Sequence, residues 1–301
     1  MTKVGLGLPG ASVGDIRESA ATAAGYDFAS FSVYGDLGDL PPYAVLHAAA
    51  DELSGSTISA IGPMGIPVGL QHPENVAMHA VALEQQLPGQ TYVGLVRGAF
   101  LDSIGQSPAS IQAIEETVHH VRKRADELGH EIPIYIGGFG EQLLARAGDL
   151  AVEGVKLGGS TNPELAEKKR TVIANDEVKL ILGAVSVIDV DRKAARYCAR
   201  IEVAKYLAVV GTLDPTLSED ELDSLGVFSA RFQQGDSTAP RYISDSLLDK
   251  FAIAGTPDDA LSLLARMEGV VDRFEFGTPH GLKDRPTAIR NIGESIIKQM
   301  D

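Results

Sequence analysis

The sequence predicts an α/β chain folded as a (β/α)8 barrel, and three observations carry that expectation. Strand and helix signals alternate strictly from one end of the chain to the other. The alternation runs to eight pairs, the number that closes a barrel of parallel strands. No shift in composition marks a second domain, so 301 residues read as one barrel domain, residues 1–301. An open doubly wound sheet is the alternative, and it usually has fewer pairs.

The elements follow in order. Lys3–Leu8 is a short apolar strand, and the helix Val13–Ala24 stops at Gly25. Phe28–Tyr34 is the second strand; Pro41 and Pro42 open the helix Tyr43–Leu53. Thr57–Gly62 is the third strand, and the helix Pro73–Gln86 places Val76, Ala77, Ala80 and Leu83 on one face. Tyr92–Val96 precedes the long helix Pro108–Leu128, which Gly129 terminates. Ile132, Ile134 and Ile136 suit a buried fifth strand, followed by the helix Gln142–Gly148. Gly154–Leu157 leads to the helix Pro163–Ile173, and Lys179–Ile188 to the helix Asp191–Val210. Thr212–Pro240 breaks the rhythm with Asp, Ser, Gly and Pro around short helical pieces, an insertion at about 211–243 between strands seven and eight. Ser244–Phe251 and Pro257–Glu268 are helical, Val271–Phe276 is the eighth strand, and Arg285–Lys298 the last helix.

A formal net charge of −15 argues against a nucleic-acid partner but leaves room for a small ligand in a locally basic pocket. Cys198 is the only cysteine, which excludes an internal disulfide and a cysteine zinc cluster; its helical setting reads as a buried, inert thiol. No metal site is expected. No apolar run reaches membrane-spanning length and the N-terminal run is too short for a signal peptide, so a cytoplasmic protein is expected.

A barrel of this kind carries its site at the C-terminal strand ends. Seven of the eight segments there contain glycine, where structural turns would be richer in Asp, Asn and Ser. The fifth is the most informative. Gly137, Gly138 and Gly140, around Phe139, lack Cβ atoms and stand before a helix N-terminus, an arrangement able to hold a phosphate. The alternative is a glycine-rich turn that binds nothing.

The segments Ile61–Pro73, Tyr92–Gly98, Ile134–Gly140, Gly154–Pro163, Ala252–Asp259 and Phe276–Gly281, in that order, resemble the bacterial luciferase-like superfamily. Within it they are similar to the branch that uses the deazaflavin coenzyme F420, including the methylenetetrahydromethanopterin reductases. The resemblance covers nearly the whole chain. It implies a luciferase-like barrel interrupted between strands seven and eight, with the cofactor lying on the strand ends. Gly137, Gly138, Phe139 and Gly140, with Gly158, Gly159 and Ser160, would hold the cofactor phosphate. Met64 and Gly65 would press on one ring face, where the family often has a cis peptide. It also implies a small-molecule substrate and a homo-oligomer, expected to be a dimer.

The chain departs from that pattern. Where many F420-dependent relatives end strand two with Asp-His, it has Val33 and Tyr34. An acid–base role is not carried over, although the Tyr34 hydroxyl can donate to a carbonyl. The first strand is apolar near Leu8 where the reductase is acidic, and Leu128–Ile132 joins helix four directly to strand five, without the usual hairpin. Tyr34, His72 and Arg97 are the candidate catalytic residues: a hydroxyl over the cofactor, a helix-start imidazole and a cation after a strand. His280, after strand eight, is a candidate for the cofactor or substrate. Lys283 and Arg285 either attract an anionic tail or cap the rim. The expected function is hydride transfer between F420 and a small organic substrate. The alternatives are an FMN-dependent monooxygenase of the same superfamily and a non-catalytic cofactor-binding homologue.

Overall fold

The structure, a computed structural model, describes residues 2–36 and 38–300. Its strands are β1 (Lys3–Leu8), β2 (Phe31–Val33), β3 (Ile61–Pro63), β4 (Ile66–Pro67), β5 (Val93–Val96), β6 (Ile134–Gly137), β7 (Gly154–Gly158), β8 (Lys179–Ile188), β9 (Ala252–Gly255) and β10 (Arg273–Gly277). All pairings are parallel, and the order around the sheet is β3-β2-β1-β10-β8-β7-β6-β5-β4. The ring is completed where Ile61 bridges Thr91: Ile61 N–H donates to Gln90 O at 2.7 Å and Tyr92 N–H to Ile61 O at 3.0 Å. The third strand is therefore split. Its first half pairs with β2 and its second with β5, across a cis peptide between Met64 and Gly65.

The helices pack outside the ring: α1 (Val13–Ala23), α2 (Pro42–Ala48), α3 (Ala50–Leu53), α4 (Pro73–Gln86), α5 (Ile111–Glu127), α6 (Glu141–Leu144), α7 (Pro163–Ile173), α8 (Arg192–Val210), α9 (Glu219–Gln233), α10 (Asp245–Phe251), α11 (Pro257–Met267) and α12 (Arg285–Ile292). Leu6, Leu8, Phe31, Val33, Val93, Leu95, Ile136, Val155, Leu157, Phe274 and Phe276 are fully buried and belong to the main apolar cluster shared with these helices. Because strand side chains alternate, the residues between them turn into the lumen.

Four expectations are corrected here. The insertion is more regular than its composition suggested. Ser218 and Glu221 form a capping box that starts the 15-residue α9. Leu225 and Phe228 of α9 then pack with Val203 and Leu207 of α8 and Leu247 and Phe251 of α10. β9 was not anticipated; it extends the sheet by pairing with Val185–Ile188, the end of β8 beyond the barrel. The helix after β6 is a single turn, α6, and Cys198 is exposed, because Ala195 and Ala199 are the residues α8 turns inward. No helix among the described residues is long and apolar enough to cross a membrane.

Candidate active site at the barrel mouth

The lumen is polar on one side. Glu275 of β10 is 0% exposed, and its carboxylate accepts from Ser30 Oγ and Ser32 Oγ at 2.9 Å each. Lys156 Nζ of β7 donates to the other oxygen at 2.5 Å, and an Arg273 nitrogen stands 3.2 Å from the first. Tyr92 O–H donates to Ser32 Oγ at 2.7 Å. These partners come from β2 and the residue before it, the residue before β5, β7 and β10, so they meet only across the barrel interior. Burial alone would push the Glu275 carboxyl up, but the charges of Lys156 and Arg273 outweigh it and hold it below the usual range. Packed against it are Ala60, Met64, Tyr92, Tyr135 and Ile181.

Glycines make room for this filling. A Cβ at Gly5 would collide with the Ser30 hydroxyl, one at Gly7 with the Tyr34 hydroxyl, and one at Gly183 would crowd the Lys156 stem. Small residues on one strand thus admit large ones from the next.

Above the network lies the mouth. Tyr34 is partly exposed at its rim while its hydroxyl reaches down toward Gly7 and Gly277. Lys156 Nζ sits 5.1 Å from the Tyr34 ring centroid. Burial, with the charge of Glu275, raises the Tyr34 phenol well above its ordinary value, so it is a neutral donor. Met64 packs over Gly94 and Gly137, and a Cβ at Gly137 would meet Val96 and Met64. Gly158 is exposed, and a Cβ there would meet nothing within 4 Å. The strand end at Gly158 is therefore open to solvent.

Gly138 N–H donates to Lys156 O at 3.1 Å, whereas no main-chain acceptor takes the Phe139 and Gly140 N–H groups among the described residues. Those donors are free for a ligand. The following turn differs from expectation. Gly159 and Ser160 N–H both donate to Gly183 O, at 2.5 and 3.3 Å, and the buried Ser160 Oγ accepts from Asn162 N–H. Ser160 is thus committed to its own turn, and Gly159 lies under Tyr206. Only Gly158 of that group faces open space.

Three candidates have other duties. His72 caps α4, accepting from Glu74 N–H at 3.2 Å, and its ring stands edge-on to His120 of α5, away from the lumen. Arg97 follows the inward Val96, so strand alternation turns it outward, where Nε donates to Ala109 O at 2.5 Å. His280 remains at the rim, but both ring nitrogens are engaged: Nδ1 by Glu202 at 2.5 Å and Nε2 by Asp36 at 3.2 Å. Hydrogen bonds to Asp36 and Glu202 raise its pKa to about 9, so it is an imidazolium clasp joining the loops after β2 and β10 to α8. Asp36, Asp39 and His280 bring ligand-type atoms within 4.8 Å of one another, a spacing suited to a cation, and the imidazolium itself supplies that charge. Arg285 does not sit on the rim as a solvated charge. It is 1% exposed, paired with Asp15, and donates to Thr278 Oγ1 and Pro279 O.

Sequence reasoning missed Ser30, Ser32, Tyr92, Lys156, Arg273 and Glu275. A signal was present: Gly154-Val-Lys-Leu-Gly and Arg273-Phe-Glu-Phe-Gly carry charges at inward positions of buried strands. Such charges must find partners.

No family model matches the chain. Over 186 residues it is 30% identical to the 5,10-methylenetetrahydromethanopterin reductase of Archaeoglobus fulgidus, covering 56% of the chain and 54% of that protein. It is 27% identical over 181 residues to the reductase of the same name from Methanopyrus kandleri, covering 56% and 51%. The chain thus matches about half the length of these curated relatives. Among solved structures, the coenzyme F420-dependent tetrahydromethanopterin reductase of Methanopyrus kandleri superimposes with a TM-score of 0.81 at 19% identity, covering 100% of both chains. The oxygenating constituent of 3,6-diketocamphane monooxygenase from Pseudomonas putida, solved with FMN, gives 0.69 at 15% identity, covering 99% of this chain and 98% of that one. At these identities the likeness establishes the fold, a parallel α/β barrel.

Proposed function

We propose that the chain is an F420-dependent oxidoreductase that transfers a hydride between the deazaflavin and a small organic substrate, with methylenetetrahydromethanopterin reductase-like activity. The observation that carries this reading is the sequence likeness to the reductases over 186 residues. The mouth fits such a cofactor: the strand end at Gly158 is open, and the Phe139 and Gly140 N–H groups are free.

Phe139 and Gly140 would hold the phosphate through main-chain donors, with Gly137 and Gly138 shaping the turn. Met64, Gly65 and Gly158 would take the ring. When bound, the cofactor supplies the hydride chemistry. The chain's own work is to orient and to exclude water. Met64 supplies an apolar wall, and Tyr34, its neutral hydroxyl buried toward Gly7 and Gly277, offers its ring at the rim rather than its donor. A cytoplasmic, dimeric enzyme is the proposed setting.

Titrating the purified protein with F420 and with FMN, followed by absorbance and fluorescence, tests the reading. Saturable binding of F420 is expected, and binding of neither defeats it. A second reading, an FMN-dependent monooxygenase, is favoured by the fold shared with the FMN-bound oxygenase. Selective FMN binding with oxygen uptake would establish that instead. Tight binding without turnover on any substrate would point to a non-catalytic homologue, which the Val33-Tyr34 departure motivates.

A further inference from the structure

The loops after β2 and β10 meet α8 at one edge of the mouth. There Asp36, Asp39 and His280 each bring one ligand-type atom to within 4.8 Å of the others. We propose that these three residues, with Glu202 orienting the imidazole, form a binding site for a divalent cation of the zinc class that locks both loops to α8. The site stands apart from the cofactor reading.

Glu202 fixes which imidazole nitrogen is available. Its side chain is 7% exposed, and Oε1 lies 2.5 Å from His280 Nδ1 and accepts from the His280 backbone N–H at 3.0 Å. Burial opposes ionisation of Glu202, but hydrogen bonds from His280 and Lys205 outweigh it and lower its pKa to about 2. An ionised carboxylate only accepts, so Nδ1 carries a proton and Nε2 is the ligand atom. A carboxylate behind one ring nitrogen, with the other turned toward further ligands, is how metal-binding histidines are held. Nε2 stands 3.2 Å from Asp36 Oδ2 and 3.8 Å from Asp39 Oδ2. Ligand atoms around a tetrahedral zinc lie roughly 3.3 Å apart, so small side-chain rotations complete the geometry.

Asp39 supplies an independent sign. Its Oδ2 is closed to solvent and has no hydrogen-bond partner among the described residues. Burial raises its pKa even with the His280 charge nearby, because Nε2 at 3.8 Å is beyond hydrogen-bond reach. An orphaned carboxylate oxygen is costly, and an imidazolium alone leaves it orphaned. The imidazolium and Lys205 also answer only two of the three carboxylates Asp36, Asp39 and Glu202, whereas a divalent ion in place of the Nε2 proton would answer all three. The lumen cations cannot serve here, since Lys156 and Arg273 are engaged with Glu275. Asp36 is about half exposed and gives the ion a path of entry. One nitrogen and two carboxylate oxygens suit zinc or manganese better than calcium, which takes oxygen ligands.

The test is calorimetric titration of EDTA-stripped protein with zinc, manganese and calcium chlorides. One zinc per chain should bind at this site, more tightly than manganese, with calcium far weaker than either. Zinc should also raise the melting temperature as its concentration passes the dissociation constant. Asp36→Asn and Asp39→Asn should each weaken zinc binding at least about tenfold, and Glu202→Gln by about 10–100-fold. His79→Gln, which alters the separate His47–His79 pair on α2 and α4, should leave this zinc in place. No zinc binding by the wild type, calcium binding as tight as zinc, affinity unchanged in Asp36→Asn and Asp39→Asn, or loss of the zinc in His79→Gln overturns the proposal. Should Asp39→Asn or Glu202→Gln fail to fold, the half-exposed Asp36→Asn, compared with the wild type, still decides.

Discussion

Gly7 and Tyr34 occupy one space in the lumen: the hydroxyl fills the volume that a Cβ on Gly7 would need. Gly7→Ala should therefore destabilise the protein by about 1–3 kcal/mol through overpacking. Tyr34→Phe removes the closest atom but leaves Cζ at 2.6 Å and Cε1 at 2.8 Å, so it should recover only part of that loss. Urea unfolding of both single variants and the double variant measures the coupling, and simply additive costs would refute the shared-space account. His280 makes a pH-dependent prediction. Its pKa is raised from 6.5 to about 9, so the clasp's stabilisation is complete below about pH 6.5 and is lost as pH rises through about 9. For Glu202, burial opposes ionisation, but the hydrogen bonds from His280 and Lys205 win and lower its pKa from 4.5 to about 2. Its contribution is present above about pH 4.5 and lost as pH falls toward 2. The melting-temperature gap between wild type and His280→Gln should thus be widest near pH 5–6 and close by about pH 10; a gap independent of pH would count against a charged clasp.

At the scale of elements, the barrel departs from eight plain strands in two places. Strand three breaks into β3 and β4, which lets Met64 lie over Gly94 and Gly137 as part of the mouth. Strand β8 runs past the barrel, and its protruding end would expose an unpaired edge if β9 did not cover it. β9 is in turn supported by the insertion's core, with Phe228 fully buried among Leu207, Leu247 and Phe251. Phe228→Ala should cost about 3–5 kcal/mol. A cost below about 1 kcal/mol in chemical denaturation would mean that α9 is an appendage rather than the support of β9.

For the whole molecule, the polar lumen ties strands from across the ring to one carboxylate. Glu275→Gln would leave Lys156 and Arg273 buried without an anion, and should cost about 3–5 kcal/mol. Adding Lys156→Met to that variant should restore part of the loss, because one fewer buried charge then lacks a partner. Thermal and urea unfolding compare the variants, and a Glu275→Gln protein as stable as wild type would dismiss the lumen network as a holding device. The parallel ring needs such a centre because its outer apolar shell packs each strand to helices, whereas only lumen contacts reach from β2 to β7.

The barrel class, the order of its elements and the glycine-lined strand ends were legible in the sequence, because strand and helix periods, capping residues and glycine are local properties. So was the glycine-rich turn Gly137–Gly140, whose phosphate-holding role is the proposal made above. The fates of His72, Arg97 and His280 were not legible. A side chain's direction depends on the parity of its strand and on the partners that tertiary folding brings within reach. Lys156, Arg273 and Glu275 lie far apart in sequence, and only ring closure makes them one group. The local code determined that a mouth would exist and that its edge would be bare backbone. The closed ring decided which charges stand beneath it, since electrostatic partnership is a matter of distance in space.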